Sequence, residues 1–102
     1  MKAKKQYPVK WDVKAFEELK EILKYAGKNS EKAPLIIQQS IKKSINLIRL
    51  NPFVFRVDEL KTNNDGSYRA FVVFSYRISY RFDGKEIWVL RIRHTSRIPL
   101  EY

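Results

Sequence analysis

The chain has 102 residues with 44% apolar and 14% aromatic content, enough for one packed core and too short for two. It contains no cysteine, which excludes a disulfide scaffold, a thiol nucleophile and a thiolate-held metal, and no metal or organic cofactor is expected. The basic N-terminus MKAKKQYPVKW is followed by no apolar run and the longest apolar stretch is 70–74, so a soluble, cytoplasmic, single domain over 1–102 without membrane contact is expected.

The formal charge of +10 opposes compaction and favours an acidic partner, whether nucleic acid or protein. The charge is unevenly distributed. Residues 1–65 carry twelve lysines and only Arg49 and Arg56 as arginines, whereas residues 66–102 carry six arginines and one lysine. Lysine suits a solvated surface, and the arginine fork matches carboxylate and phosphate.

In chain order, Gln6–Trp11 alternates weakly and predicts a short first strand, with Pro8 favouring a sheet edge. From Asp12 the period lengthens. Val13, Phe16, Leu19, Leu23 and Ala26 form an apolar stripe widened by Ile22, which predicts an amphipathic helix capped by Asp12 and stopped at Gly27. Ser30 is a candidate cap for a second helix that tolerates Pro34 in its first turn, uses Ile37, Ile41, Ile45 and Ile48 as its seam, and ends at Asn51–Pro52. Two helices with so short a link should form an antiparallel hairpin. Residues 53–64 are irregular and Asn63–Gly66 is a turn signal; the strand patterns SYRAFVVF, SYRISYRF and KEIWVLRIRH follow, the last two separated by Asp83–Gly84. The predicted fold is α+β: an N-terminal strand and a helical hairpin on one face of a C-terminal antiparallel sheet.

Strand parity divides the side chains between two faces. One set, Tyr68, Ala70, Val72, Phe74, Ile78, Tyr80, Phe82, Trp88, Leu90 and Ile92, is apolar or aromatic and is expected under the helices. The other carries Arg69, Arg77, Arg81, Arg91 and Arg93, alongside Phe71, Val73, Ser79, Ile87 and Val89, and is expected to face solvent as a binding surface. No Gly-rich phosphate loop is present, the acids are scattered, and nothing positions a Ser/His/Asp triad. Metal-free phosphodiester cleavage is the one catalytic chemistry with candidates. Arg69, Arg77, Arg93 and Arg97 could stabilise the phosphorane charge, and His94, or Tyr102 near the end of the chain, could move a proton. His94 falls on the core-side parity, where a structural role is the commoner one.

The order of elements resembles the RelE/ParE superfamily of bacterial type II toxins. Leu50-Asn51-Pro52, Tyr68-Arg69-Ala70-Phe71, Tyr76-Arg77-Ile78-Ser79-Tyr80-Arg81 and Ile92-Arg93-His94-Thr95-Ser96-Arg97 carry the resemblance, which spans Tyr7 to Pro99. It implies a toxin neutralised by a cognate antitoxin, whose C-terminal segment wraps it. The RelE-like branch implies metal-independent cleavage of mRNA on the ribosome, and the ParE-like branch implies poisoning of DNA gyrase. Arg69 and Arg77 match basic positions of the nuclease branch, and Arg97 or Ser96 lies near a third. A lysine that branch wants falls on Phe71, and Arg-x-Phe-x-Val before the Tyr-Arg strand looks ParE-like. The ParE-like reading is therefore preferred. A RelE-like endoribonuclease using Arg69, Arg77, His94, Arg97 and Tyr102 is the alternative, and a non-catalytic basic binding module is the third reading.

Overall fold

In a computed structural model of the chain, residues 5–96 are described, and Arg97 and Tyr102 lie outside them. The element order is β1 (Val9–Trp11), α1 (Val13–Gly27), α2 (Ala33–Leu50), β2 (Tyr68–Val73), β3 (Tyr76–Phe82) and β4 (Ile87–His94). The four strands form one sheet in the order β1-β4-β3-β2. β1 pairs with β4 in parallel and the other pairings are antiparallel, so the sheet is mixed rather than wholly antiparallel.

Asp12 caps α1 as predicted, its carboxylate accepting the Lys14 N–H at 2.9 Å. The buried stripe of α1 starts at Ala15 and continues through Leu19, Ile22, Leu23 and Ala26, whereas Val13 and Phe16 are exposed. The stripe is rotated because Ala15 lets the helix sit close to the sheet, a contact that Phe16 would hold open. α2 buries Ile37, Ile41 and Ile48 with Ile45 packed beside them, as the seam predicts. Its cap position is Lys32 with no side-chain bond, not Ser30, and Pro34 takes a first-turn position where its missing N–H costs nothing.

The helices cover the face that carries Phe71, Val73, Ile78, Tyr80, Phe82, Ile87, Val89 and Ile92, all within the core. This corrects the parity expected for two strands. In β2 the register Phe71↔Ile78 and Arg69↔Tyr80 turns Arg69, Phe71 and Val73 toward the helices, and leaves Val72 exposed on the other face. In β4 the pairing passes from Ser79↔Arg91 to Tyr80↔Val89, so Leu90 is an extra residue and the strand bulges there. Before the bulge the odd residues Ile87 and Val89 face inward; after it the even residues Ile92 and His94 do. Arg91 and Arg93 thereby end on the outer face with Arg77 and Arg81. Among the described residues no helix is long and apolar enough to cross a membrane.

Candidate functional site

The outer face of the sheet is built from Tyr68, Ala70 and Val72 on β2, Arg77, Ser79 and Arg81 on β3, and Arg91 and Arg93 on β4. A fifth arginine joins from the loop. Val57 bridges to Arg69 and the Arg56 carbonyl accepts the Ala70 N–H at 3.2 Å, which sets Arg56 and Asp58 on the same side as Ala70 and Tyr68. The face is therefore arginine-rich, as the sequence suggests, with Arg56 in place of Arg69.

These arginines are not bare. Asp58 is 2% exposed, accepts from Arg77 Nη2 at 2.6 Å and from the Leu60 N–H at 3.0 Å, and its own N–H donates to the Tyr68 carbonyl at 2.8 Å. A carboxylate so far from water requires a cation and several donors, and Arg77 supplies the cation. At the other edge, β1 accompanies β4 only as far as Val89, whose carbonyl accepts the Asp12 N–H as the chain enters α1. Beyond that point the β4 edge is open, and Glu18 of α1 closes it. Its Oε1 accepts the Ile92 N–H at 3.0 Å and Arg91 Nε at 3.0 Å, and its Oε2 accepts Arg91 Nη2 at 2.9 Å and lies 3.5 Å from Arg93 Nη1. The hydrogen bonds that Arg91 donates to Glu18 raise its pKa above the ordinary value against the opposing effect of burial. Arg81 completes the face by donating to the Ser67 hydroxyl at 3.1 Å and lying over the Tyr68 ring.

Arg69 has a different task. On the helix-facing side it donates to the Phe55 carbonyl at 2.7 Å and stacks on the Phe53 ring, its centre 5.0 Å away. It pins the segment leaving α2, together with Tyr80, whose buried hydroxyl donates to the Pro52 carbonyl at 2.8 Å. Burial pushes the Tyr80 phenol up to about 12. Phe71 is buried between Phe55, stacked at 4.8 Å, and Tyr80.

His94 occupies the helix-facing side at the end of β4, in register with Tyr76 and edge-on to its ring at 5.6 Å. Its Nδ1 is 2.7 Å from the Ser96 hydroxyl, and it lines a cleft of about 620 Å³ with Ile22, Tyr25 and Glu21 of α1. The register puts His94 and Arg77 on opposite faces of the sheet, so these two are separated, whereas Arg93 lines the same cleft as His94. Sequence reasoning missed Asp58, Glu18 and Arg56. Asp58 and Arg56 sit in a segment without periodicity, and Glu18 occupies a position that reads as the solvated side of α1.

The comparisons agree with this architecture. A chain of a chromosomal ParDE toxin–antitoxin system from P. aeruginosa has the same fold, with a TM-score of 0.69 at 19% identity over 89% of this chain and 98% of that one. A chain of the RelBE2 toxin–antitoxin complex from Mycobacterium tuberculosis superposes with a TM-score of 0.60 at 16% identity over 90% and 94% of the two chains. No curated protein sequence matches the chain. A family model described as the ParE toxin of the type II toxin–antitoxin system parDE matches residues 9–99. With the four-stranded sheet, the helical hairpin and that match over most of its length, the chain belongs to the ParE toxin family.

Proposed function

We propose that this chain is a ParE-like growth-arresting toxin that acts in the cytoplasm by binding and poisoning DNA gyrase, and that a cognate antitoxin neutralises it. The observation that carries this reading is that the two arginines matching the nuclease branch are engaged elsewhere, Arg77 by the buried Asp58 and Arg69 by the Phe55 carbonyl. Metal-free RNA cleavage needs uncommitted cations aimed at one phosphate and a proton carrier beside them. Here Arg77 is committed to Asp58 and Arg91 to Glu18, with Arg93 only within ion-pair distance of that carboxylate, and Arg69 turns to the opposite face and holds a loop. His94 also lies on the side away from Arg77. Phe71, where the nuclease branch wants a lysine, is a core residue.

A paired arginine still serves a protein interface. It keeps N–H donors beyond those used by its carboxylate, and the pairing fixes their direction. The test sets two assays side by side: supercoiling by purified gyrase, and cleavage of ribosome-bound mRNA, each with the purified chain. Inhibited supercoiling with intact mRNA is expected, and the product of the adjacent reading frame should relieve it. Site-specific mRNA cleavage that disappears in a folded Arg77→Ala variant would reverse the assignment to the RelE-like branch.

A further inference from the structure

The connection between β2 and β3 is a two-residue loop, Phe74–Ser75, closed by the pair Val73↔Tyr76. Phe74 has φ +54, a strained backbone region that a bulky side chain rarely enters. The other positive-φ positions among the described residues are Asn63, Gly66 and Gly84, residue types that tolerate it. The single misfit is therefore at this tip, and it presents a phenyl ring that is 62% exposed. Val72, two residues earlier on the outer face, is 53% exposed. The loop is held from beneath, because the Thr95 N–H donates to the Ser75 carbonyl at 2.8 Å. Strain and exposed apolar surface both oppose folding, and the core gains nothing from this ring. Asparagine or glycine would serve the turn better.

We infer that Phe74, backed by Val72, is the anchor by which this chain docks on its protein target, inserting into an apolar pocket edged by carboxylates. The charge around the tip specifies the rim. Val72 is in register with Arg77, Arg77 with Arg93, and Arg56 stands beside Ala70, while among the described residues Asp58 and Glu18 are the carboxylates ion-paired with the five arginines of that face. The shape specifies a folded partner. A convex tip on a short, tied loop fits a preformed pocket, whereas an extended segment requires a groove. An aromatic anchor flanked by arginines is also the composition of the residues that dominate binding energy in protein interfaces.

This inference rests on the proposed function for the identity of the target, and the experiment separates the two. Wild type, Phe74→Gly and Val72→Thr are compared for melting temperature, inhibition of purified gyrase, growth arrest on expression, and the amount of antitoxin needed for relief. Phe74→Gly should fold with an unchanged or higher melting temperature, since glycine accepts φ +54. Its concentration for half-inhibition of supercoiling should rise at least about tenfold, the least expected for losing a central anchor. A folded Phe74→Gly protein that inhibits like wild type overturns the inference. If wild type leaves gyrase untouched yet arrests growth, the gyrase reading alone fails, and equal arrest by Phe74→Gly then overturns the anchor. If Phe74→Gly keeps full arrest but needs more antitoxin, the tip belongs to the antitoxin interface and the inference is wrong. A wild type that arrests nothing overturns both.

Discussion

Glu18 closes the sheet edge that β1 leaves open, and its removal gives the sharpest test of how the arginine face is held. In Glu18→Ala, Arg91 loses a bidentate carboxylate that accepts at 3.0 and 2.9 Å. The Arg91 side chain is only 13% exposed, so water replaces those bonds incompletely, and about 2 kcal/mol is lost there. The Ile92 N–H, on the open edge, loses its acceptor at 3.0 Å, which costs about 1 kcal/mol. Arg93 is 3.5 Å away and 24% exposed, and it turns to solvent at little cost. The expected total is about 3 kcal/mol, a large share of a typical domain's 5–15 kcal/mol. Glu18→Gln keeps one acceptor but sets an amide donor against Arg91, and about half that loss is expected. In urea titration an m-value of about 1.5 kcal/mol/M turns 3 kcal/mol into a midpoint lower by about 2 M. Hydrogen exchange supplies the local readout, since the Ile92 amide should lose its protection in Glu18→Ala before its neighbours do. A midpoint within about 0.3 M of wild type, with the Ile92 amide still protected, would refute the clamp.

Phe71→Lys places an ammonium in the core against Phe55 and Tyr80, and a loss of about 3–5 kcal/mol by denaturant titration is expected. A stable folded variant would show that the nuclease-branch lysine could stand here, and would weaken the argument from Phe71. Tyr80 predicts an alkaline limb. Its phenol ionises near 10 when unfolded and at about 12 when folded, so the unfolded chain releases the proton first. The stability contributed is whole below pH 10 and is lost as pH rises toward 12. Tyr80→Phe should abolish that part of the decline while losing about 1 kcal/mol at neutral pH with the Pro52 bond; the same decline in the variant would reject the assignment.

The helical seam and the strand positions were legible because each rests on a single strong period. Ile37, Ile41, Ile45 and Ile48 repeat on one helical face at unbroken three- and four-residue spacing. The sheet faces were legible only for β3, where Ile78, Tyr80 and Phe82 alternate with Arg77, Ser79 and Arg81. In β2 both parities are largely apolar, so side-chain character could not choose between them. The hairpin could have. Treating Phe74–Ser75 as the loop fixes Val73↔Tyr76, and Phe71 must then share a face with Ile78. A phenylalanine in a position that favours glycine hides that loop from any reading based on turn residues. In β4 the bulge at Leu90 leaves no mark in composition, and it reverses parity midway. Asp58 and Glu18 were illegible for another reason: each belongs to the site through a partner nineteen or seventy-three residues away.

The bulge ties these observations together. Were the strand to alternate regularly through Leu90, without the bulge, Arg91 and Arg93 would fall on the side of Ile87 and Val89, inside the core, where their charge could not stay. With it, the first half of β4 serves the core and the second half serves the outer face, within one strand. The reversal also happens where β1 ends, so the edge amide of Ile92 is exposed at the point where the arginines emerge, and one carboxylate can satisfy both. Glu18 thus completes the sheet edge and directs two arginines. Asp58 does the same on the β2 side, where its backbone N–H meets the edge carbonyl of Tyr68 and its side chain holds Arg77. Each edge is closed by the residue that orients the arginines nearest it. A face made this way offers fixed donors and a reduced field, which suits a partner surface of matching shape better than a mobile phosphate backbone.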